Sequence, residues 1–419
     1  MRGVSFYLLI TLFIYSCSSK EEEQKEQGPQ DFRRLSLSLA SDNYYDTENY
    51  SGNLYLSNQN GEIVDQAELV NNATSELIMD YDSNSDFDLT TVDRYEFERS
   101  NKEFISYRLK TFNSIEPYNF EIKEPQIAYA DSGASAFLNI ANTGGNIRDI
   151  VTANYYNRNI TSTEANFEIY LINQKEDIYL SFLPAGKDIP RYILLEDIEN
   201  GFSTDYELAD LPLANDQIVI NYPQTDELSV EIWGAVQSDP ENFFALLSSE
   251  WGSLNPPYSI HYIPTKEFVQ FKQKTYLNIG NKEYQKMEID NLINTVFTIP
   301  DLDFQIINSN NETFEFSPTT NYDYYSISMY YKNEAENYEI IWNHYGKSSN
   351  GNVKIRYPKL LEILGPETMP ESVNDFKITN TEIKNIEGLG SYLEYCNAIM
   401  DPNVSLESKS NKIESLKIQ

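Results

Sequence analysis

Apolar and polar residues alternate along most of this chain in short runs, broken by clusters of Asn, Asp, Gly and Pro. A period of two places successive side chains on opposite faces of a strand, and long runs with helical spacing are scarce. The first clear unit is GNLYLSNQNGEIVDQAEL (52–69), with apolar residues on either side of Asn60-Gly61. Asn-Gly between such runs is the strongest short-range hairpin signal. FDLTTVDRYEF (87–97), EFISYRLKTF (103–112) and YNFEI (118–122) continue the series to about Glu124.

A second series starts near Pro125 with ANFEIYLI (165–172), DIYLSFL (177–183), RYILLEDI (191–198), QIVINY (217–222) and LSVEIWGAV (228–236). Pro256, Pro257 and Pro264 mark a connection into a third series. There NYDYYSISMYY (321–331) and YEIIWNHY (338–345) form the best-defined pair. Alternation sets Tyr325, Ile327, Met329 and Tyr331 on one face, and Tyr324, Ser326, Ser328 and Tyr330 on the other. Tyr338, Ile340, Trp342 and His344 share a face of the second strand. KLLEIL after Pro358 and the stretch Tyr392 to Met400 read as short helices. The pattern predicts an all-β chain of tandem antiparallel β-sandwich domains with a few short helices near the C-terminus. The expected domains are 32–124, 125–265 and 266–400, followed by a polar, fraying tail at 401–419.

The N-terminus has a different pattern. Met1-Arg2 precedes an apolar run from Val4 to Ile14, which reads as the basic and apolar regions of a signal peptide over residues 1–16. The run is too short to cross a bilayer as a helix, which takes about 20 residues. Ile14, Ser16 and Cys17 resemble a bacterial lipobox. The resemblance implies cleavage before Cys17 and a diacylglycerol on its sulfur. The Ser18-Ser19-Lys20-Glu21-Glu22-Glu23 stretch resembles the export signal of Bacteroidota surface lipoproteins. It implies an outer-membrane location facing outward, with Lys20, Glu21, Glu22 and Glu23 as the signal. Residues 17–31 also read as an acidic, solvated tether with too little apolar surface to fold.

Charge and composition narrow the partners. There are 65 acidic and 31 basic residues, a net charge of −34. Nucleic-acid binding needs a basic face to displace counterions, so no nucleic-acid partner is expected. Membrane attachment falls to lipid on Cys17. Cys396 is the only other cysteine, so a lipidated chain has no internal disulfide to form.

Candidate chemistry is thin. The two histidines, His261 and His344, lie far apart, with neither a G-x-S-x-G elbow nor an H-E-x-x-H motif. Each reads as a strand residue satisfied by a neighbour. Paired carboxylates could hydrolyse glycosides without histidine, but the sequence offers no means of choosing two. DYDSNSDFD (80–88) spaces Asp80, Asp82, Asn84, Asp86 and Asp88 like the first half of a calcium loop. It has Ser85 and Thr91 where that loop needs Gly and Glu, so an acidic loop ahead of a strand is the competing reading. Tyrosine pairs (Tyr44-Tyr45, Tyr155-Tyr156, Tyr324-Tyr325, Tyr330-Tyr331) could stack on sugars or pack in strands. Trp233, Trp251 and Trp342 are expected to be partly buried. The expectation is a lipid-anchored surface protein with a non-catalytic binding or scaffolding role and no cofactor beyond its lipid, weak calcium apart. The alternatives are a glycan-binding accessory lipoprotein of a nutrient-uptake system and a carboxylate-based secreted hydrolase. The partners are outer-membrane lipid and either a surface protein assembly or a glycan.

Overall fold

The computed structural model describes residues 34–40, 49–79, 86–99, 102–123, 134–142, 147–151, 156–160, 164–171, 175–184, 187–237, 243–247, 258–335, 337–349, 351–361, 363–364, 370, 372–401 and 404–418. The first seven strands are β1 (Arg34–Ala40), β2 (Tyr50–Asn58), β3 (Ile63–Leu69), β4 (Ala73–Ile78), β5 (Phe87–Arg99), β6 (Lys102–Ile115) and β7 (Asn119–Lys123). There follow β8 (Ser135–Ala141), β9 (Ile147–Val151), β10 (Tyr156–Ile160), β11 (Glu164–Tyr170), β12 (Lys175–Pro184), β13 (Arg191–Glu199) and β14 (Ser203–Glu207). Next come β15 (Asp216–Asn221), β16 (Glu227–Ala235), β17 (Phe244–Leu247), β18 (Tyr258–Ile263), β19 (Gln270–Ile279), β20 (Lys282–Asp290), β21 (Phe304–Asn308) and β22 (Glu315–Pro318). The chain closes with β23 (Tyr324–Asn333), β24 (Tyr338–Lys347), β25 (Val353–Lys354), β26 (Lys377–Glu387), helix α1 (Tyr392–Met400) and β27 (Lys412–Ile418). The all-β expectation holds.

Twelve of these strands form one sheet in the order β17-β16-β19-β20-β27-β26-β23-β24-β6-β5-β2-β3. Every pairing in it is antiparallel except β24 with β6, where Tyr338 to Tyr345 run parallel to Ile105 to Phe112. The sheet therefore runs across both expected domain divisions, at 124 and at 265.

Alternation gives this sheet two faces. The predicted face of β23 and β24 (Tyr325, Ile327, Met329, Tyr338, Ile340 and Trp342) is buried in the largest core. Phe304, Phe316 and Val353 from the β21-β22-β25 sheet, with Phe314 just ahead of β22, cover it, and Ile220 and Ile263 of the β15-β18 pair extend the cover. On the opposite face Leu54, Leu56, Leu89 and Phe112 pack against Leu35, Leu37 and Leu39 of the β4-β1-β7 sheet. A separate sandwich sets β11-β8-β14 on β10-β9-β12-β13, with Leu138, Phe167, Leu180 and Phe182 between them.

The Asn60-Gly61 hairpin forms as predicted between β2 and β3. Gly61 takes φ +74, and a Cβ there would stand 2.2 Å from the Tyr357 carbonyl oxygen. Only glycine meets both demands.

Two expectations at the C-terminus are corrected. The polar tail at 401–419 contains β27, an interior strand paired to β20 on one side and β26 on the other. Ile413 and Leu416 are buried, so this segment is held at its neighbours' edges. KLLEIL is a turn rather than a helix in its described residues, with Leu360 fully buried. The helix expected at Tyr392 to Met400 is present. Ser391 caps it, accepting from Glu394 N–H at 3.2 Å. Lys110 of β6 donates its ammonium to the Ile399 carbonyl at 2.8 Å near the helix C-terminus, where a cation is favoured.

Candidate functional site

Among the described residues, two of the surfaces that combine polar and aromatic groups stand out. The first is on the long sheet. In β16 Leu228, Val230 and Ile232 enter the core, which turns Glu231 and Trp233 to the other face. Register places Trp233 opposite Lys272 and Glu231 opposite Lys274 on β19. The Lys272 and Lys274 ammoniums stand 4.7 and 5.2 Å from the indole centroid, and Lys272 is 5.3 Å from the Phe243 ring. Each cation over an indole is worth about 0.5–2 kcal/mol, more as it loses water.

Electrostatics follow from this crowding. Burial pushes the Lys272 ammonium below its ordinary range, with Glu407 acting against that shift. Burial pushes Glu231 up, and Lys274 pulls it down. Tyr276 on the same face is pushed up to about 12, first by burial and then by the nearby carboxylates. Lys274 is also ion-paired with Glu407. These charges largely neutralise one another, and the chain's own cations already sit over the indole.

The second surface is a cleft of about 520 Å³ beside β13, lined by Tyr192 to Glu196, Tyr206, Leu211, Pro212 and Glu267. Tyr192 donates its hydroxyl to Glu267 Oε1 at 2.8 Å, and its pKa is pushed up to about 12, mainly by burial.

The residues singled out from sequence fall as follows. Cys17, Lys20, Glu21, Glu22 and Glu23 lie outside the described residues, as do Asp80, Asp82 and Asn84. Asp86 and Asp88 are described, and both turn to Arg356. Asp88 is buried in β5, accepting from the guanidinium at 2.7 Å and from Ser114 N–H at 2.8 Å. Asp86 lies 3.7 Å from the same guanidinium. Burial nevertheless raises the Asp88 pKa, with Arg356 the largest opposing influence. Among the described residues no group of three or more His, Cys, Asp or Glu side chains is placed to hold a metal.

The histidines are committed to packing. His344 is fully buried, stacked on Trp342 at 4.9 Å and meeting Tyr357 edge-on at 5.1 Å. Burial holds its pKa down to about 3. His261 Nε2 lies 2.6 Å from the hydroxyl of Ser259, two residues away on β18. Ser259 also meets the Tyr222 hydroxyl at 2.7 Å. Cys396 lies on the buried face of α1, and burial pushes its thiol up, away from the reactive thiolate.

Of the described tyrosine pairs, Tyr324, Tyr325 and Tyr331 pack against other rings or the core, whereas Tyr330 is half-buried on the polar face and donates to Glu339 Oε2 at 3.1 Å. Tyr324 stacks on Tyr395 at 4.3 Å, and Tyr325 donates to Asn113 Oδ1 at 3.2 Å. Tyr331 packs on Tyr338 and Phe376. Trp342 is fully buried and donates to Thr111 Oγ1 at 2.9 Å. Trp233 is partly buried, as expected, and Trp251 lies outside the described residues.

Sequence reasoning missed Arg356 and the cleft beside β13, because both depend on contacts between distant segments. The chain matches no protein-family model and no curated protein.

Proposed function

We propose that this chain is a lipid-anchored protein of the outer cell surface with a non-catalytic binding or scaffolding role. The observation that carries the reading is the junction at Cys17. An apolar run ends there, a polar tether with Lys20 and three glutamates follows, and the all-β body begins at Arg34. Several acyl chains on one cysteine hold a protein to a membrane far more firmly than a single chain does. A binding role is supported by the way the described histidines and Cys396 are taken up by burial or by neighbours. The cleft beside β13 supplies a place for a partner.

Metabolic labelling with a fatty-acid analogue tests the anchor. Cys17→Ser is expected to abolish incorporation, and labelled Cys17→Ser protein would remove the reading. Changing Lys20, Glu21, Glu22 and Glu23 to alanine is expected to keep the label but turn the protein away from the cell exterior. External protease applied to intact cells should then spare it. Digestion of that variant as fast as the native chain would show that these four residues are not the export signal.

A further inference from the structure

β13 is the outer strand of its four-stranded sheet. Among the described residues its outer edge is paired only at the start, where an isolated bridge joins Arg191 to Leu213. Tyr192 donates its N–H to the Pro212 carbonyl at 3.1 Å, and Ala214 donates to the Pro190 carbonyl at 2.9 Å. The next bond of this ladder would run from the N–H of residue 212 to the Tyr192 carbonyl, and proline has none. The pairing stops there for that reason. Alternation then turns the Tyr192 carbonyl and both backbone groups of Leu194 away from β12 and into the cleft. The regular edge ends where the pairing with β12 shifts register between Glu176 and Ile178, and there Asp197 takes φ +59.

The walls suit an extended guest. Tyr206 and Leu211 belong to the core between the two smaller sheets, and Tyr192 belongs to the main core on the other side. The floor is the β13 edge itself. Two carboxylates, Glu196 and Glu267, line the slot, and among the described residues no lysine or arginine does. Arg191 at its end is held by the Leu211 carbonyl.

We propose that this slot takes an extended peptide segment with basic side chains, which adds to β13 as a further strand. This names the partner class for the binding role above and rests on it. The guest would donate N–H groups to the Tyr192 and Leu194 carbonyls and accept from Leu194 N–H. Main-chain bonds give such strand addition its affinity, and pockets for alternate side chains give it selectivity. The carboxylates favour lysine or arginine at the positions that face them, and the chain's charge of −34 speeds the encounter.

Fluorescence anisotropy with the full chain and a labelled peptide of alternating valine and lysine tests the proposal. Saturable binding is expected. N-methylation of alternate peptide amides should weaken it about tenfold, because it removes the donors that β13 requires. Leu194→Pro should do the same from the protein side. Glu196→Lys, at an exposed side chain, should weaken binding about fivefold at low salt even if the proline variant fails to fold. Equal binding of the N-methylated peptide would show attraction by net charge alone and overturn the proposal. So would self-association of the chain that Leu194→Pro or Glu196→Lys abolishes, since a second copy would then be the occupant. Lipid plays no part in this measurement, so its failure leaves the Cys17 labelling result standing.

Discussion

His344 and Asp88 are both buried ionisable side chains, and they have been accommodated in opposite ways. His344 is neutral: both ring nitrogens lack hydrogen-bond partners, and its pKa is held down to about 3. An unfolded chain would protonate it near pH 6.5. The unfolded state therefore binds the extra proton first, and stability falls as pH drops from about 6.5 toward 3. The slope approaches about 1.4 kcal/mol per pH unit within that window. His344→Phe keeps the stack on Trp342 and removes the titration. The stability difference between native chain and variant, from urea midpoints at several pH values, should move toward the variant by that slope. A difference that stays flat below pH 6 would show that His344 titrates normally. Asp88 is instead paired, with one oxygen on Arg356 and Ser114. Arg356→Met leaves that carboxylate buried without its cation, at a cost on the order of 3 kcal/mol. Adding Asp88→Asn should recover part of the loss, giving a non-additive cycle. Strictly additive losses would mean the pair is not coupled. His344 was legible as a strand residue, because Trp342 and Ile340 lie on its face at two-residue spacing, but the expected polar neighbour is absent and both ring nitrogens are unpaired. The Asp88–Arg356 pair was not, since a separation of 268 residues leaves no trace in local periodicity.

The strands most easily read, β23 and β24, have one face buried and the other largely polar over ten residues each. β27 (KIESLKI) gave no such signal. Its apolar residues Ile413, Leu416 and Ile418 break strict alternation, and lysine, glutamate and serine fill the rest. The reason is visible in its neighbours. Leu416 and Ile418 enter the main core, whereas Ile413 enters a small cluster with Met287, Tyr324, Ile386 and Tyr395 on the opposite face. A strand that serves two cores at its two ends looks like a tail when read alone. The structure makes it an interior element, and its mutational costs should follow. Leu416→Ala removes a fully buried side chain and should cost about 2–5 kcal/mol. Lys417→Ala, one residue on and facing the other way, loses only a half-buried ion pair with Glu283 and should cost no more than about 1 kcal/mol. Chemical denaturation of the two variants separates the cases. Comparable small effects would return residues 401–419 to the status of a frayed tail.

At the scale of the whole molecule the sequence gives the strand content but not the way distant strands meet. Three series of alternating runs suggest three sandwiches in tandem, each stable on its own. The long sheet joins the first and third series through β6 and β24, and Phe112 of the first stacks on Tyr345 of the third at 5.3 Å. Lys110 reaches α1 across the same junction. A fragment of residues 32–124 would lose β24, one of the two partners of its longest strand, and bare the fully buried Leu109 and Phe112. Long unpaired edges with apolar side chains invite aggregation. Expressed alone, this fragment should lack a cooperative thermal transition and bind a hydrophobic dye, whereas residues 32–419 unfold with the first series and the third melting together. The decisive reading comes from adding residues 125–419 to the fragment in trans. Recovery of strand circular dichroism on mixing is expected, because β24 then offers its free edge to β6. A fragment that melts cooperatively by itself, and is unchanged by the remainder, would make the β6–β24 seam a docking contact between independent domains and restore the tandem arrangement.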